Sequence, residues 1–309
     1  MRLRVKFPLF LTFILLLIIC GFASPYFFTE QNVWVLLRQT TIIGIISLGM
    51  TFVIIAAGID LSVGSTVALV SVVSVSCQIY GLPAMILAGL FVGVLVGLVN
   101  GLAVTFGRVV PFIATLATMT IAKGLALWYT NENVIFGTND QFSKIGNGCL
   151  ALGYNINIPY PVIIFIIIFI FSWLLLEKTV FGKYVRAIGG NTESARRSGV
   201  NIFFWTVIAY LYCSFLTSIS GIIVSARMNT GSPSIGDGYE LDAIASVVIG
   251  GTSLFGGKGK LSGTLIGILL FAVIANIMNL LNWPSFIQYT IKGVVLLAAM
   301  VFQRFSYSK

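Results

Sequence analysis

The chain has no histidine among its 309 residues. That absence removes the commonest general base, the commonest metal ligand and the one side chain that ordinarily titrates near neutrality. Charge is scarce too: only 9% of residues are Asp, Glu, Lys or Arg, and only 9 of them are acids. Scattered acids without a histidine leave little from which to assemble a hydrolytic or metal-dependent centre. The 4 cysteines add nothing, since Cys20, Cys77 and Cys213 sit inside apolar runs and Cys149 stands in a loop. Their spacing gives neither a disulfide framework nor a zinc pattern.

What fills the chain instead is apolar. With 58% hydrophobic residues and a mean hydropathy of +1.03, its polar residues could not cover a core of this size in water. Apolar runs of about 20 residues, long enough to cross a bilayer as a helix, recur throughout. The expected fold is therefore all-α, a polytopic membrane helix bundle forming a single domain over 1–309. About ten transmembrane segments (8 to 10) are expected, near 8–24, 33–57, 65–80, 83–107, 111–130, 159–177, 203–226, 243–255, 263–282 and 286–303. The first run follows Arg2, Arg4 and Lys6 and superficially resembles a signal peptide; because every later segment also spans, it reads as a retained helix.

The net charge of +9 could suggest nucleic acid, but its distribution excludes that partner. With both termini cytoplasmic, most bases fall on one side: Arg2, Arg4, Lys6, Arg108, Lys178, Lys183, Arg186, Arg196, Arg197, Lys258, Lys260, Arg304 and Lys309. The other side holds Glu30, Glu132, Asp140, Asp237, Glu240 and Asp242 against Lys144 and Arg227. This is the positive-inside asymmetry of a multi-pass membrane protein.

Two segments depart from plain spans. The eighth is too short to cross as a simple helix and ends in the glycine pairs Gly250-Gly251 and Gly256-Gly257, so it reads as a broken or shielded helix. Gly58 to Gly64 (GIDLSVG) interrupts the pattern after the second span, with Asp60 or Ser62 placed to cap a restarting helix. Asp60 could alternatively accept hydrogen bonds from a passing solute or hold a coupling cation. Asn100, Thr115, Thr118 and Thr120 are the other candidates for a translocation path, and they could equally join helices. Lys123 and Lys292 fall inside spans with no acid at helical spacing, which calls for a structural partner or snorkelling. Gly89, Gly93, Gly97 and Gly101 recur every fourth residue and predict a close helix contact. The FGGKGK loop, Phe255 to Lys260, lacks the spacing of a phosphate loop and is not read as a nucleotide site.

The segment Gly182 to Asn201, GKYVRAIGGNTESARRSGVN, is glycine-punctuated and basic between two apolar runs. It reads as a short helix of about seven residues shown to water. Asn191 is its cap, Glu193 lies in the first turn, Arg196 and Arg197 lie near the end, and Gly199 is a left-handed stop followed by Val200. Ala195 is its one apolar interior side chain, so burial in a core is not expected. An ordinary positive-inside loop is the alternative to a docking helix.

GIDLSVGS (58–65), FIATLATM (112–119), AIGGNTESARRSGVN (187–201) and GYELDAIASVVIGGTSLFGGKGKLSGTLIG (238–267), taken in order, resemble the permease family of bacterial monosaccharide ABC importers, the ribose permease type. The resemblance runs from about Phe27 to the C-terminus. It implies a multi-pass subunit of the bacterial inner membrane that pairs with a second permease copy or paralogue, a cytoplasmic ATP-binding cassette ATPase and a periplasmic sugar-binding protein. A monosaccharide would cross by alternating access, without covalent chemistry in this chain. No cofactor would be bound here, and ATP with Mg would be used by the partner. The resemblance assigns docking of the ATPase to the loop 182–201, through Ala187, Gly189, Gly190, Asn191, Glu193, Ser194, Ala195, Arg196, Ser198 and Gly199. Thr192 departs from the family, where proline is common, and Arg197 stands where an apolar residue is usual; the second departure bears on which ATPase docks. An ion-coupled secondary transporter is the alternative, and it would need deep acids in a relay, whereas most acids here lie in expected loops.

Overall fold

The computed structural model describes residues 6–151 and 157–307; Arg2, Arg4 and Lys309 lie outside them. The described chain is almost entirely helical. Its helices are α1 (Lys6–Ala23), α2 (Glu30–Ile55), α3 (Val63–Ser76, extended by a 3-10 turn at Cys77–Tyr80), α4 (Leu82–Thr105), α5 (Pro111–Thr130), α6 (Asp140–Asn147) and α7 (Tyr160–Lys178). There follow α8 (Val180–Gly190), α9 (Thr192–Arg197), α10 (Ile202–Met228), α11 (Tyr239–Ile249), α12 (Leu261–Leu280) and α13 (Ser285–Tyr307). Seven are long and apolar enough to cross a membrane: α2, α3 with its extension, α4, α5, α7, α10 and α12. Shorter apolar stretches at Leu9–Ala23 and Ser285–Val301 and the short α11 match the remaining three of the ten expected segments.

The helix ends are written locally. Proline opens α4, α5 and α7 in the first turn, where its missing N–H costs nothing. Asn201 accepts from the Phe204 amide to cap α10, and Asn131 and Asn229 close α5 and α10 in the left-handed conformation.

Helix α10 is the hub, packed against α2, α3 and α4. Lipid competes well for apolar side chains, so close approach and interhelical hydrogen bonds decide packing between spans. The α4 glycine stripe meets that requirement. A Cβ at Gly93 would come 2.7 Å from the Ser214 carbonyl oxygen, one at Gly97 would come 2.9 Å from Leu211 Cα, and one at Gly101 would come 2.9 Å from Val207 Cα. The α4 backbone thus lies directly on α10. Buried polar pairs join other helices: Asn32 and Asn276 exchange amide hydrogen bonds at 2.9 and 3.0 Å between α2 and α12, and the Thr51 and Thr264 hydroxyls meet at 3.0 Å.

Two small antiparallel ladders gather the loops at one end. Strand β1 (Ile135–Phe136) pairs with β4 (Thr230–Gly231), and β2 (Cys149–Ala151) pairs with β3 (Asn157–Pro159). Cys149 therefore sits in a strand, where its sulfur accepts from Arg38 at 3.3 Å. The opposite end carries the basic loops.

The short eighth segment is a shielded helix, shifted toward the N-terminus from its expected bounds. Gly238, at φ +86°, starts α11, and Gly250 and Gly251 end it. It is buried continuously from Asp242 to Val248. The loop that follows finds its backbone partners in protein: Thr252 N–H bonds the Val247 carbonyl at 3.2 Å, Ser253 N–H that of Lys258 at 2.9 Å, and Gly257 N–H that of Ile55 at 2.8 Å. Irregular backbone at this depth persists because it is paired within the molecule.

Candidate functional site

Helix α9 has both of its ends hydrogen-bonded as the sequence specifies. Asn191 Oδ1 accepts from the Ser194 N–H at 2.8 Å, and Thr192 permits that cap. At the other end Gly199 N–H bonds the Arg196 carbonyl at 3.0 Å and Val200 N–H bonds that of Ala195 at 3.1 Å, the paired bonds of a Schellman stop. Gly199 stands at φ +81° with open space where a Cβ would be. Glu193 lies between Arg196 and Arg197, at 3.8 and 3.2 Å. All three side chains are exposed, so these pairs stabilise little.

Two features differ from the sequence reading. Ala195 is buried, packed with Ile188 and Val200 and flanked by Tyr184, Ile202 and Trp205, because the Schellman stop folds Val200 back over it. The helix therefore rests on a small apolar pedestal and presents only its outer face. The residues before it, 180–190, form a second helix, α8, which buries Phe181, Gly182, Val185 and Ile188. Its glycines hid that periodicity. Arg186 holds the turn from α7 into α8, donating to the Leu176 carbonyl at 2.9 Å and to Glu177 at 2.6 Å.

A valine at Gly199 would be forced into the left-handed region at a cost of about 1–2 kcal/mol. Gly199→Val is expected to fray α9, seen as faster hydrogen exchange of the amides of 194–200 in the detergent-solubilised chain, while Gly199→Asn stays close to the parent. Unchanged exchange in the valine variant would remove the role given to this stop.

The foot of α8 is wedged into the bundle. A Cβ on Gly189 would run into the Ile55 carbonyl oxygen and come 2.7 Å from Gly257 N; one on Gly256 would come 2.7 Å from the Gly189 oxygen and from Ala57 Cβ. The FGGKGK loop is thus a tight hairpin with Gly256 and Gly257 at φ +84° and +72°, seated between the end of α2 and the end of α8. The end of α2, just before the interruption at Gly58 to Gly64, meets the 250–260 loop here through Ile55 and Ala57.

Beyond that junction the path candidates come together. Asp60 Oδ1 accepts from the Ser62 N–H at 2.9 Å and the Ser62 hydroxyl at 2.6 Å, closing an Asx turn. The expectation that Asp60 or Ser62 caps α3 is corrected accordingly: neither side chain bonds an amide inside the helix, because Asp60 is spent on Ser62 itself. Asn100 of α4 donates to Ser62 Oγ at 2.8 Å and to Asp60 at 3.3 Å, and accepts from Thr118 of α5. Thr115 donates to the Ile59 carbonyl at 3.2 Å and to Pro111 at 2.9 Å. Asp60, Asn100 and Thr115 are fully buried and Thr118 nearly so. In this conformation the cluster ties the 56–62 loop to α4 and α5. Thr120, by contrast, is exposed and bonds only its own helix.

Lys123 and Lys292 are paired, with partners invisible at helical spacing. Lys123 Nζ lies 2.6 Å from Asp237, and Lys292 Nζ lies 2.7 Å from Asp242. Among the described residues no three acidic or cysteine side chains converge as metal ligands.

Comparison with known proteins agrees in scale with this architecture. The ribose import permease of Bacillus subtilis is 43% identical over 299 residues, covering 96% of this chain and 91% of the relative. The L-arabinose ABC transporter permease of Azospirillum brasilense is 35% identical, covering 96% and 86%. The xylose transport system permease of Escherichia coli K12 is 34% identical, covering 89% and 85%. No solved structure matches the chain. The family model described as branched-chain amino acid transport system / permease component matches residues 32–300, nearly the whole bundle, and the chain belongs to that family of transport permeases.

Proposed function

We propose that the chain is the membrane-embedded permease subunit of an ABC importer that carries a monosaccharide across the bacterial inner membrane. The observation that carries this reading is α9, a separately capped helix whose charged face of Glu193, Arg196 and Arg197 is exposed, in a protein 34–43% identical to pentose permeases. It works with a cytoplasmic ATPase docked on residues 187–199, a periplasmic sugar-binding protein and a second permease subunit. The chain has no enzymatic activity of its own and binds no nucleotide; ATP and Mg act in the partner.

Force has a short route through the molecule. A displacement of α9 moves α8 through the pedestal of Ile188, Ala195 and Val200. The contacts of Gly189 with Ile55 and Gly257 pass it to α2 and to the α11–α12 hairpin. The Asp60–Asn100–Thr118 cluster then links the loop after α2 to α4 and α5. Such a chain of close contacts moves helices as rigid bodies, which is what opening a cavity alternately to two sides requires.

The test is recovery of a tagged chain from its native membrane in mild detergent, followed by a vanadate-sensitive ATPase assay with candidate sugar-binding proteins. Co-recovery of an ATPase stimulated by one loaded binding protein is the expected result and names the sugar. Recovery of the chain alone, with uptake that collapses under an uncoupler and ignores vanadate, would overturn the importer in favour of an ion-coupled transporter.

A further inference from the structure

Charge at membrane depth is costly and has to face protein or water. Two helical charges, Asp242 and Lys292, together with Asp237 just before α11, line one cavity of about 280 Å³ between α11, α12 and α13. Its walls include Asp237, Asp242, Phe271, Gln288, Tyr289 and Lys292. On α13 the contributing residues Ser285, Gln288, Tyr289, Lys292 and Leu296 recur at three- and four-residue spacing, so one face of the helix looks into the cavity. Lys292 and Asp242 form an ion pair across it, about a quarter and an eighth exposed, and Lys123 reaches its rim through Asp237.

The chemistry of these groups is specific. The lining carries Asp237 and Asp242 against Lys292, with Lys123 pairing Asp237 from the rim, so the cavity has no cationic surplus with which to hold an anion. Each carboxylate uses one oxygen on its lysine and has a second oxygen that can accept, and each ammonium has further hydrogens to give. Gln288 commits its amide nitrogen to Asn279 and Trp283, at 3.0 and 2.9 Å, which leaves it an acceptor. Phe271 and Tyr289 add flat apolar surface, with the Lys292 ammonium 5.7 Å from the Phe271 ring centre. Closely spaced donors and acceptors beside an aromatic face suit a compact molecule bearing several hydroxyls. The volume lies at the lower edge of small-molecule sites.

We infer that this cavity is a contact site for a neutral sugar during translocation, with Asp242, Lys292 and Gln288 as its hydroxyl partners. The inference rests on the importer reading and gives the solute a place in this chain.

Gly293 makes a test possible, because it lines the cavity and a Cβ there meets nothing within 4 Å. The experiment uses Gly293→Cys in the full chain, with the half-exposed Cys77 and Cys149 replaced by serine, and follows labelling by a charged, membrane-impermeant thiol reagent in vesicles. Ser285→Cys on the same wall is the second reporter should the first fail to insert. The expected result is labelling from water, slowed at least threefold by ribose, arabinose or xylose and unaffected by the corresponding sugar acid at equal concentration. Labelling that none of these sugars slows would overturn the contact site. No labelling of either reporter would overturn the wet cavity itself. Protection by sugar in a chain that recovers no ATPase would keep the site and remove the importer, whereas a stimulated ATPase without protection would do the reverse.

Discussion

Gly189→Val is expected to reduce sugar uptake roughly tenfold or more, the effect of at least ~1.4 kcal/mol, while the chain still inserts and folds. A Cβ at this position is blocked on two sides by main-chain atoms, the Ile55 carbonyl and the Gly257 amide nitrogen. Side chains relieve overpacking by changing rotamer; backbone does not, and an added group in a filled site costs about 1–3 kcal/mol. The relief available to the molecule is to lift α8 from the junction, away from the hydrogen-bonded pair of the Gly257 amide and the Ile55 carbonyl. Uptake and ATPase co-recovery should then fall together, because α9 would ride on a detached support. Gly124→Ala is the control, since a Cβ there meets nothing. Uptake of the Gly189→Val protein equal to that of the control would remove the junction from the coupling route.

Gly97→Leu should act on the fold itself. The Cβ would meet Leu211 Cα and the Tyr210 carbonyl oxygen, both at 2.9 Å on the backbone of α10. Separating α4 from α10 at this point also withdraws the neighbouring contacts of Gly93 and Gly101, so the loss is shared along the helix pair. Because α10 is the hub for α2, α3 and α4, the expected result is a Tm lowered by several degrees in detergent and a large loss of monodisperse protein in fluorescence-detected gel filtration. A Tm matching that of Gly124→Ala would show that the α4–α10 contact yields more readily than its geometry implies.

How much of this could be read from the sequence follows from the range of the interactions. Helix ends depend on a few adjacent residues, so the cap at Asn191, the stop at Gly199 and the truncation of α11 by Gly250 and Gly251 were legible. The glycine stripe of α4 declared a close contact but could not name α10 as its partner. Helix α8 was missed because Gly182, Gly189 and Gly190 weaken its propensity, while the burial that sustains it comes from distant or separate elements, Phe181 on Phe52, Trp205 and Tyr212 and Ile188 on Ala195 and Val200. The partners of Lys123 and Lys292 lie 114 and 50 residues away, a pairing that only the three-dimensional fold creates. Asp60 stood out as an acid among apolar residues, yet its neighbours Asn100 and Thr118 come from two other helices.

The junction beneath α9 is built from glycine positions and main-chain groups, whereas the outward face of α9 carries Glu193, Arg196 and Arg197, which touch little besides one another. Address and lever are therefore separate parts. The exposed letters can be rewritten, Arg197 among them, without disturbing the hinge that bears the load. On the importer reading proposed above, a lineage can in this way exchange its motor while keeping its gearbox, and an engineer could graft the outer face of one such helix onto the pedestal of another.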